Sequence, residues 1–252
     1  MTQKIRFWLI ALTVLVVSGV TSPLIHAMEN PKFTSANKAF DQGHFQQAID
    51  GYQELVRSGH WNAGLFYNLG NAWYRLGDFG HAIVNYERAL ALEPRHPEAQ
   101  ANLRLARDEA RALELGKTWI ERYADFATID QYSVIAAVSF WVALFAIAQV
   151  CFLHRRSAKM LTLVAVALCF SAAAVFAAYT IEAGGKGSDV AIVIGKNVEA
   201  RLATADNAKG VLTLPSGSQI KVLSDRGDWI YAALPNGLRG WIPASSAERV
   251  RL

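Results

Sequence analysis

Side chains that could carry out catalysis are scattered along this 252-residue sequence, and their spacing assembles no recognisable reaction centre. The six histidines, at positions 26, 44, 60, 81, 96 and 154, lack the short intervals that bind a metal ion. The two cysteines, at positions 151 and 169, fall in long apolar stretches. Residues 184–188, Gly-Gly-Lys-Gly-Ser, look like a phosphate-binding loop but lack its full spacing. The sequence therefore predicts a protein that is not an enzyme and that holds no cofactor and no metal ion.

The strongest pattern is the segment 63–96, which predicts two amphipathic helices joined by a tight turn. Apolar residues recur at helical spacing on both sides of a break at Gly77-Asp78, and Pro94 ends the second helix. The segment resembles a tetratricopeptide repeat, a helix–turn–helix unit of about 34 residues. The resemblance rests on Phe66, Leu69, Gly70, Trp73, Ala82, Tyr86, Ala89 and Pro94. Small residues at Gly70 and Ala82 allow two helices to cross closely.

A second copy of this pattern begins 34 positions earlier and predicts a first repeat over residues 29–62. The pairs are Ala36 and Gly70, Asn37 and Asn71, Gly43 and Gly77, Phe45 and Phe79, Ala48 and Ala82, Ile49 and Ile83, and Tyr52 and Tyr86. The first copy departs from the family pattern at Ser35 and Leu55 and lacks the terminal proline. A forward shift aligns Asn102-Leu103 but finds no turn glycine, so we predict a capping helix over 97–115. Two repeats and a cap are the minimum for a stacked core.

In tetratricopeptide repeats the first helix of each unit lines a concave surface, so the resemblance implies a protein-binding groove on these helices. Its residues would be Asn37, Phe40, Tyr67, Asn68, Asn71, Tyr74, Arg75 and Asn102. The four asparagine amides could pair with the backbone of an extended peptide, and the aromatic rings would add apolar contact area. Alternatively, the asparagines hold the helices of the stack together. Arg75 is a single cation and gives little support for the two-carboxylate clamp of some family members.

The first 27 residues predict export. Lys4 and Arg6 precede the apolar run Phe7–Val20, and Ala27 provides a small residue at the end of a signal peptide. An uncleaved anchor is the alternative. Cleavage would remove two positive charges and lower the formal charge from +4 to +2. Nucleic-acid binding is not indicated, because this excess is small and the basic residues form no stripe.

Two uncharged apolar stretches, 132–153 and 160–181, are each long enough to cross a bilayer. The loop between them, 154–159, carries three basic residues and is predicted to be cytoplasmic, which leaves both flanking regions outside. Residues 97–128 are predicted to hold the capping helix and then a helix with aromatic residues opposite charged ones. This last helix either lies at the membrane surface or packs on the repeats.

After a glycine-rich linker at 183–188 the periodicity becomes strand-like, and five short runs within 189–252 predict strands. The segment resembles a bacterial SH3-like (SH3b) domain, which implies a small all-β barrel. The resemblance rests on Leu214–Gly217, Ile220–Val222, Gly227–Trp229, Leu234–Gly237 and Gly240–Pro243. Trp229 and Trp241 are expected in the barrel core or wall, with a ligand-binding face as the alternative. The apolar stretches and the linker are expected to keep this domain separate from the repeats.

The predicted fold class is thus multidomain: α-helical tetratricopeptide hairpins, a two-helix transmembrane hairpin and a small all-β SH3-like barrel. This order resembles the tetratricopeptide-containing (BatE-type) proteins of the bacterial aerotolerance, or Bat, operon. The resemblance rests on Ala36-Asn37, Tyr67–Ala72, Tyr86–Leu90, Ala101–Leu103 and Gly240-Trp241. It implies partners among von Willebrand factor A-domain membrane proteins and a MoxR-type ATPase system, in envelope stress or oxygen tolerance.

Two hypotheses follow. The first is a scaffold anchored in the bacterial inner membrane, with both soluble domains in the periplasm, that binds a protein partner through the repeat groove. The alternative is a cell-wall module that binds peptidoglycan through the SH3-like domain.

Overall fold

The computed structural model describes residues 31–116, 119–124, 126–152, 157–183 and 188–251. The predicted signal peptide lies outside the described residues, as do half of the predicted cytoplasmic loop and most of the linker.

Five helices at the start of the described chain stack side by side as helical hairpins. They are α1 (Pro31–Asp41), α2 (Phe45–Arg57), α3 (Ala63–Arg75), α4 (Phe79–Leu92) and α5 (Pro97–Ala110). The turns inside the two hairpins place Gly43 at φ +79° and Gly77 at φ +73°, a left-handed conformation that favours glycine. Side-chain caps fix where α3 and α4 begin: Asn62 accepts from the backbone N–H of Leu65, and Asp78 accepts from that of His81.

The crossing of α3 and α4 depends on Gly70. A Cβ added there would lie 2.7 Å from two ring carbons of Tyr86 and 3.3 Å from the Ala82 carbonyl oxygen. Ala82 and Tyr86 are both fully buried. The helices therefore approach as closely as the sequence predicted from the small residues at this crossing.

His81 and Asp78 form a pH-sensitive contact at the start of α4, where their side chains lie 2.8 Å apart. The hydrogen bond that the His81 ring donates to the Asp78 carboxylate raises the pKa of His81, and burial lowers it. The charges of Asp78 and Glu248 add to the rise, whereas the charge of Arg88 opposes it. Burial acts to raise the pKa of Asp78, but hydrogen bonds from His81 outweigh it and hold that pKa below its usual value. The contact is therefore strongest when His81 is protonated and Asp78 is ionised.

We expect the repeats to lose stability as the pH rises from about 5 to about 8, because a raised histidine pKa stabilises the fold only while the ring is protonated. At pH values below this range, protonation of Asp78 removes the negative charge that binds His81. Urea unfolding at the two pH values should show a smaller difference in His81→Gln than in wild type. An equal pH dependence in both proteins would contradict this assignment.

Three further helices follow: α6 (Trp119–Ala124), α7 (Ile129–Phe152) and α8 (Ala158–Ala183). Segments Ile129–Cys151 and Ala158–Glu182 have mean hydropathies of 2.3 and 2.4, so both helices are long and apolar enough to span a membrane. They pack against each other through small residues, and Ser171 donates across the pair to the Ala136 carbonyl. Helix α6 lies beside α8 and leaves its aromatic rings exposed, Trp119 at 67% and Tyr123 at 77%.

The C-terminal domain is a single antiparallel sheet of seven strands in the order β3-β2-β6-β5-β4-β1-β7. The strands are β1 (Val190–Val193), β2 (Val198–Arg201), β3 (Gly210–Leu214), β4 (Gln219–Arg226), β5 (Trp229–Ala233), β6 (Arg239–Pro243) and β7 (Ala247–Arg249). A short 3₁₀ turn, Ala244–Ser246, leads into β7.

The predicted closed barrel of five strands is therefore wrong. The sheet has two further strands, β3 and β7, which lie at its opposite edges and do not pair with each other. The chain contacts the repeats at the end of β7 and just after it: the carbonyl groups of Arg249 and Val250 both accept hydrogen bonds from Arg88 of α4. The repeats thus contact the β7 edge of the sheet, which in a closed barrel would pair with β3.

The expected separation of the two soluble domains is also wrong. Strand β1 is buried on both faces: Ala191 and Val193 pack in the core of the sheet, whereas Val190 and Ile192 pack against α4 and α5. Apolar side chains on both faces of one strand need two partners. The sheet domain therefore packs directly on the repeats.

Candidate functional site: the first helices of the repeats

The candidate groove is built from a polar unit that occurs twice, 34 residues apart. In the first copy, Asn37 Oδ1 accepts from the Tyr52 hydroxyl at 2.7 Å and from Asn68 Nδ2 at 3.1 Å. Each unit joins both helices of one repeat to the first helix of the next.

The second copy has the same geometry. Asn71 Oδ1 accepts from the Tyr86 hydroxyl and from Asn102 Nδ2, both at 2.8 Å. The four asparagines thus fall into two linked pairs that run across α1, α3 and α5. Their side chains contribute to helix packing, which was the alternative role considered from the sequence.

Helix packing uses only part of each amide. Because Oδ1 accepts in Asn37 and Asn71, their Nδ2 groups keep donor capacity, and Asn68 and Asn102 keep acceptor capacity at Oδ1. These remaining groups have no hydrogen-bond partner within the part of the chain that the structure describes. Along the stack they alternate as donor, acceptor, donor and acceptor.

A pocket of about 290 Å³ opens beside the first pair. It is lined by Asn37, Phe40, Asp41, Tyr52, Asn68 and Asn71. Burial and the nearby Asp41 carboxylate raise the pKa of Tyr52 to about 12, although Asn68 acts in the opposite direction. The Tyr52 hydroxyl therefore stays protonated at neutral pH and remains a donor to Asn37. Burial likewise raises the pKa of Tyr86.

The other predicted groove residues lie around this polar row. The Phe40 ring packs edge-on against Phe45 at 5.4 Å, and the Arg75 guanidinium lies 4.8 Å from the centre of the same Phe45 ring. Arg75 is thus engaged with an aromatic face. The ring centres of Tyr67 and His96 are 5.0 Å apart, and those of Tyr74 and Phe79 are 5.5 Å apart.

Trp229 and Trp241, which the sequence placed in the barrel core or wall or on a ligand-binding face, lie in the sheet domain and are only partly buried. Trp241 on β6 lies beside Tyr231 on β5, with ring centres 5.0 Å apart. The Arg226 guanidinium lies 5.2 Å from the centre of the Trp241 ring. Trp229 is paired with Pro243 across the same two strands. These side chains form a half-exposed aromatic face, distinct from the sheet core.

Sequence reasoning missed the roles of Tyr52, Tyr86 and Arg88. The two tyrosines follow their asparagine acceptors by 15 residues in both copies, so their equal spacing was a usable signal. Arg88 is only 6% exposed and binds residues Glu248–Val250, here called the C-terminal tail, which lie 160 to 162 positions further along the chain. No local pattern marks such a contact.

Helical hairpins stacked side by side are the architecture of helical-repeat proteins. Residues 63–96 match the family model of the tetratricopeptide repeat. A comparison with curated proteins gave no match to the chain. Tetratricopeptide repeats are typically non-catalytic interaction modules. Among the described residues, no group of three or more His, Cys, Asp and Glu side chains could hold a metal ion.

We expect Asn71→Ala to lower the free energy of unfolding by about 1–3 kcal/mol, because the buried Tyr86 hydroxyl loses its acceptor and Asn102 keeps only its longer, 3.4 Å bond to the Tyr67 hydroxyl. Asn68→Ala is the matched control, since Asn37 would keep its bond from Tyr52. Urea unfolding should rank Asn71→Ala as clearly the more damaging change; equal losses would argue against the second polar unit.

Proposed function

We propose that this protein is a non-enzymatic, membrane-anchored scaffold that binds an extended segment of a protein partner through the first helices of its repeats. The observation that carries this proposal is the polar unit that occurs twice. It leaves an alternating row of amide donors and acceptors beside an open pocket. An extended peptide backbone offers the complementary alternation of C=O and N–H groups.

We further propose that α7 and α8 cross the inner membrane and that both soluble domains lie in the periplasm. The basic residues of the loop between the two helices favour a cytoplasmic position for it. The packing of the sheet domain on the repeats supports a position on the same side of the membrane, because two crossings by α7 and α8 return the chain to the side from which it started. A reporter that is active only in the cytoplasm, fused after Leu252, should be silent, and activity would contradict this topology.

The resemblance to BatE-type proteins and to SH3-like domains belongs to the same proposal. It suggests partners among von Willebrand factor A-domain membrane proteins and a MoxR-type ATPase system, with a role in envelope stress or oxygen tolerance. The hairpin of β5 and β6, which carries Trp229 and Trp241, is the part of the sheet that supports the SH3-like relationship.

Photo-crosslinking in the native membrane tests the groove. Phe40 lines the pocket, so p-benzoylphenylalanine at this position should capture a partner protein in a discrete adduct. The same group at Gln47, an exposed residue of α2, is the control. An adduct at Phe40 that is lost with Asn71→Asp, and absent at Gln47, supports the proposal. Equal labelling at both positions, or none at Phe40, contradicts it.

The aromatic face of the sheet domain favours a second candidate function, the binding of peptidoglycan. Sugar rings stack on half-exposed aromatic side chains, and Tyr231 and Trp241 offer a contiguous pair. The detergent-solubilised full chain should then co-sediment with purified cell-wall sacculi, and Tyr231→Ala should abolish this binding. Retention that is indifferent to Tyr231 would exclude this face as the binding site.

A further inference from the structure

The repeat stack ends on an unpaired helix. Helix α5 is equivalent to the first helix of a third unit, because Asn102-Leu103 follows Asn68-Leu69 by 34 residues. A complete unit would add a second helix that covers the apolar side of α4 and α5. Instead, α5 ends at Ala110, the next residue, Arg111, adopts a left-handed conformation with φ 50°, and residues 112–116 form no helix.

The sheet domain covers the surface that this helix would cover. Val190 and Ile192 of β1 and Val250 of the tail share one buried cluster with apolar residues of the repeats. The buried repeat members are Ala82, Ile83, Val84, Tyr86, Leu103 and Ala106. All members of the cluster are at most 9% exposed, as in the interior of a single domain.

Hydrogen bonds join the same two surfaces at two further places. Arg88 of α4 donates to the Arg249 carbonyl at 2.8 Å, to the Val250 carbonyl at 3.2 Å and to the Glu248 carboxylate at 2.8 Å. After α5, the Leu113 carbonyl accepts from the backbone N–H of Gln219 at 2.8 Å. The Leu113 N–H donates to the Ser218 hydroxyl at 3.1 Å. The contact therefore extends from α4 past the end of α5.

Two glycines allow the surfaces to approach this closely. A Cβ at Gly80 would collide with Ser216 and would lie 2.9 Å from the Ile194 Cα. A Cβ at Gly217 would collide with the Ile83 side chain and would lie 3.3 Å from the Ala112 Cβ. Backbone from one domain thus touches side chains of the other with no room for an added methyl group.

We infer that the sheet domain is the C-terminal cap of the repeat stack: it takes the place of the second helix of a third repeat and holds α5 in position. Solenoids need caps because a terminal unit exposes the apolar face that its neighbour would bury. Since α5 carries Asn102, the cap also positions the last amide of the polar row. This consequence for partner binding rests on the proposed function, but the capping itself does not.

Hydrogen exchange of the full chain in detergent, followed by mass spectrometry, tests the cap. The valine side chain in Gly217→Val should clash with Ile83 and separate the sheet domain from the repeats. We therefore expect amides in 97–110 to exchange at least about tenfold faster than in wild type. Gly237→Val is the matched control: its φ is +79°, against +84° at Gly217, but nothing lies within 4 Å of its added Cβ. It should leave α5 unchanged.

Arg88→Met is a second variant, which loosens the contact from the repeat side and leaves the sequence of the sheet domain intact. It should also speed exchange in α5 while α1 and α2 keep wild-type rates. Exchange in 97–110 within about twofold of wild type in both variants would overturn the inference. No partner is needed for this measurement. Faster exchange in α5 without a crosslinked adduct at Phe40 would therefore support the capping role and contradict the proposed groove. An adduct at Phe40 with unchanged exchange in α5 would contradict only the capping role.

Discussion

Replacing Gly70 with leucine is expected to lower the free energy of unfolding by about 3 kcal/mol, at the upper end of the usual cost of overpacking. Even the first carbon of the new side chain would lie 2.7 Å from the ring of Tyr86. That ring cannot move away easily, because it is fully buried and its hydroxyl is bonded to Asn71. The described part of the stack holds five helices, so few other contacts can absorb the shift.

Gly64→Ala provides the control in the same helix. Its added Cβ would meet only the Asn62 side chain, at 3.4 Å, so alanine gains helix propensity without a clash. Urea unfolding of the full chain in detergent, followed by the helical circular dichroism signal, should move in opposite directions for the two variants. A wild-type midpoint for Gly70→Leu would mean that α3 and α4 do not cross at this residue.

Arg88→Met is expected to cost about 3 kcal/mol, because two backbone carbonyl groups of the tail lose hydrogen bonds from a charged donor. The ion pair with Glu248 adds little, since that carboxylate is 38% exposed and screened by water. Methionine keeps most of the apolar volume near Phe66, so packing is altered less than bonding.

Arg104→Met removes the same charge from an exposed position of α5 and should be within about 0.5 kcal/mol of wild type. The comparison separates loss of the tail contact from loss of one positive charge. Equal stability of the two variants would show that the bonds from Arg88 to the tail contribute nothing to folding.

If the repeats and the sheet domain form one unit, the scaffold differs from a chain of independent modules. A partner bound near Asn71 would contact a surface whose last helix is held by residues of the C-terminal tail. Changes in the tail could then alter binding without touching the partner, because α5 connects the two surfaces.

The sequence by itself determined the local elements. The apolar spacing, the turn glycines at 43 and 77 and the 34-residue repeat were sufficient to predict α1 to α4, since each signal lies within one hairpin. The two long apolar helices followed from composition alone. The candidate groove residues could be named in advance because the repeat fixes their positions on the first helices.

Only the tertiary structure decided how these elements combine. The apolar run of β1 predicted a strand, but local sequence could not show that α4 and α5 would cover one of its faces. The contact between Arg88 and the tail joins residues about 160 positions apart, and the strand order that leaves β3 and β7 unpaired with each other is likewise a property of the whole sheet. Local periodicity reports which face of an element is apolar; which surface covers it depends on the packing of the whole chain.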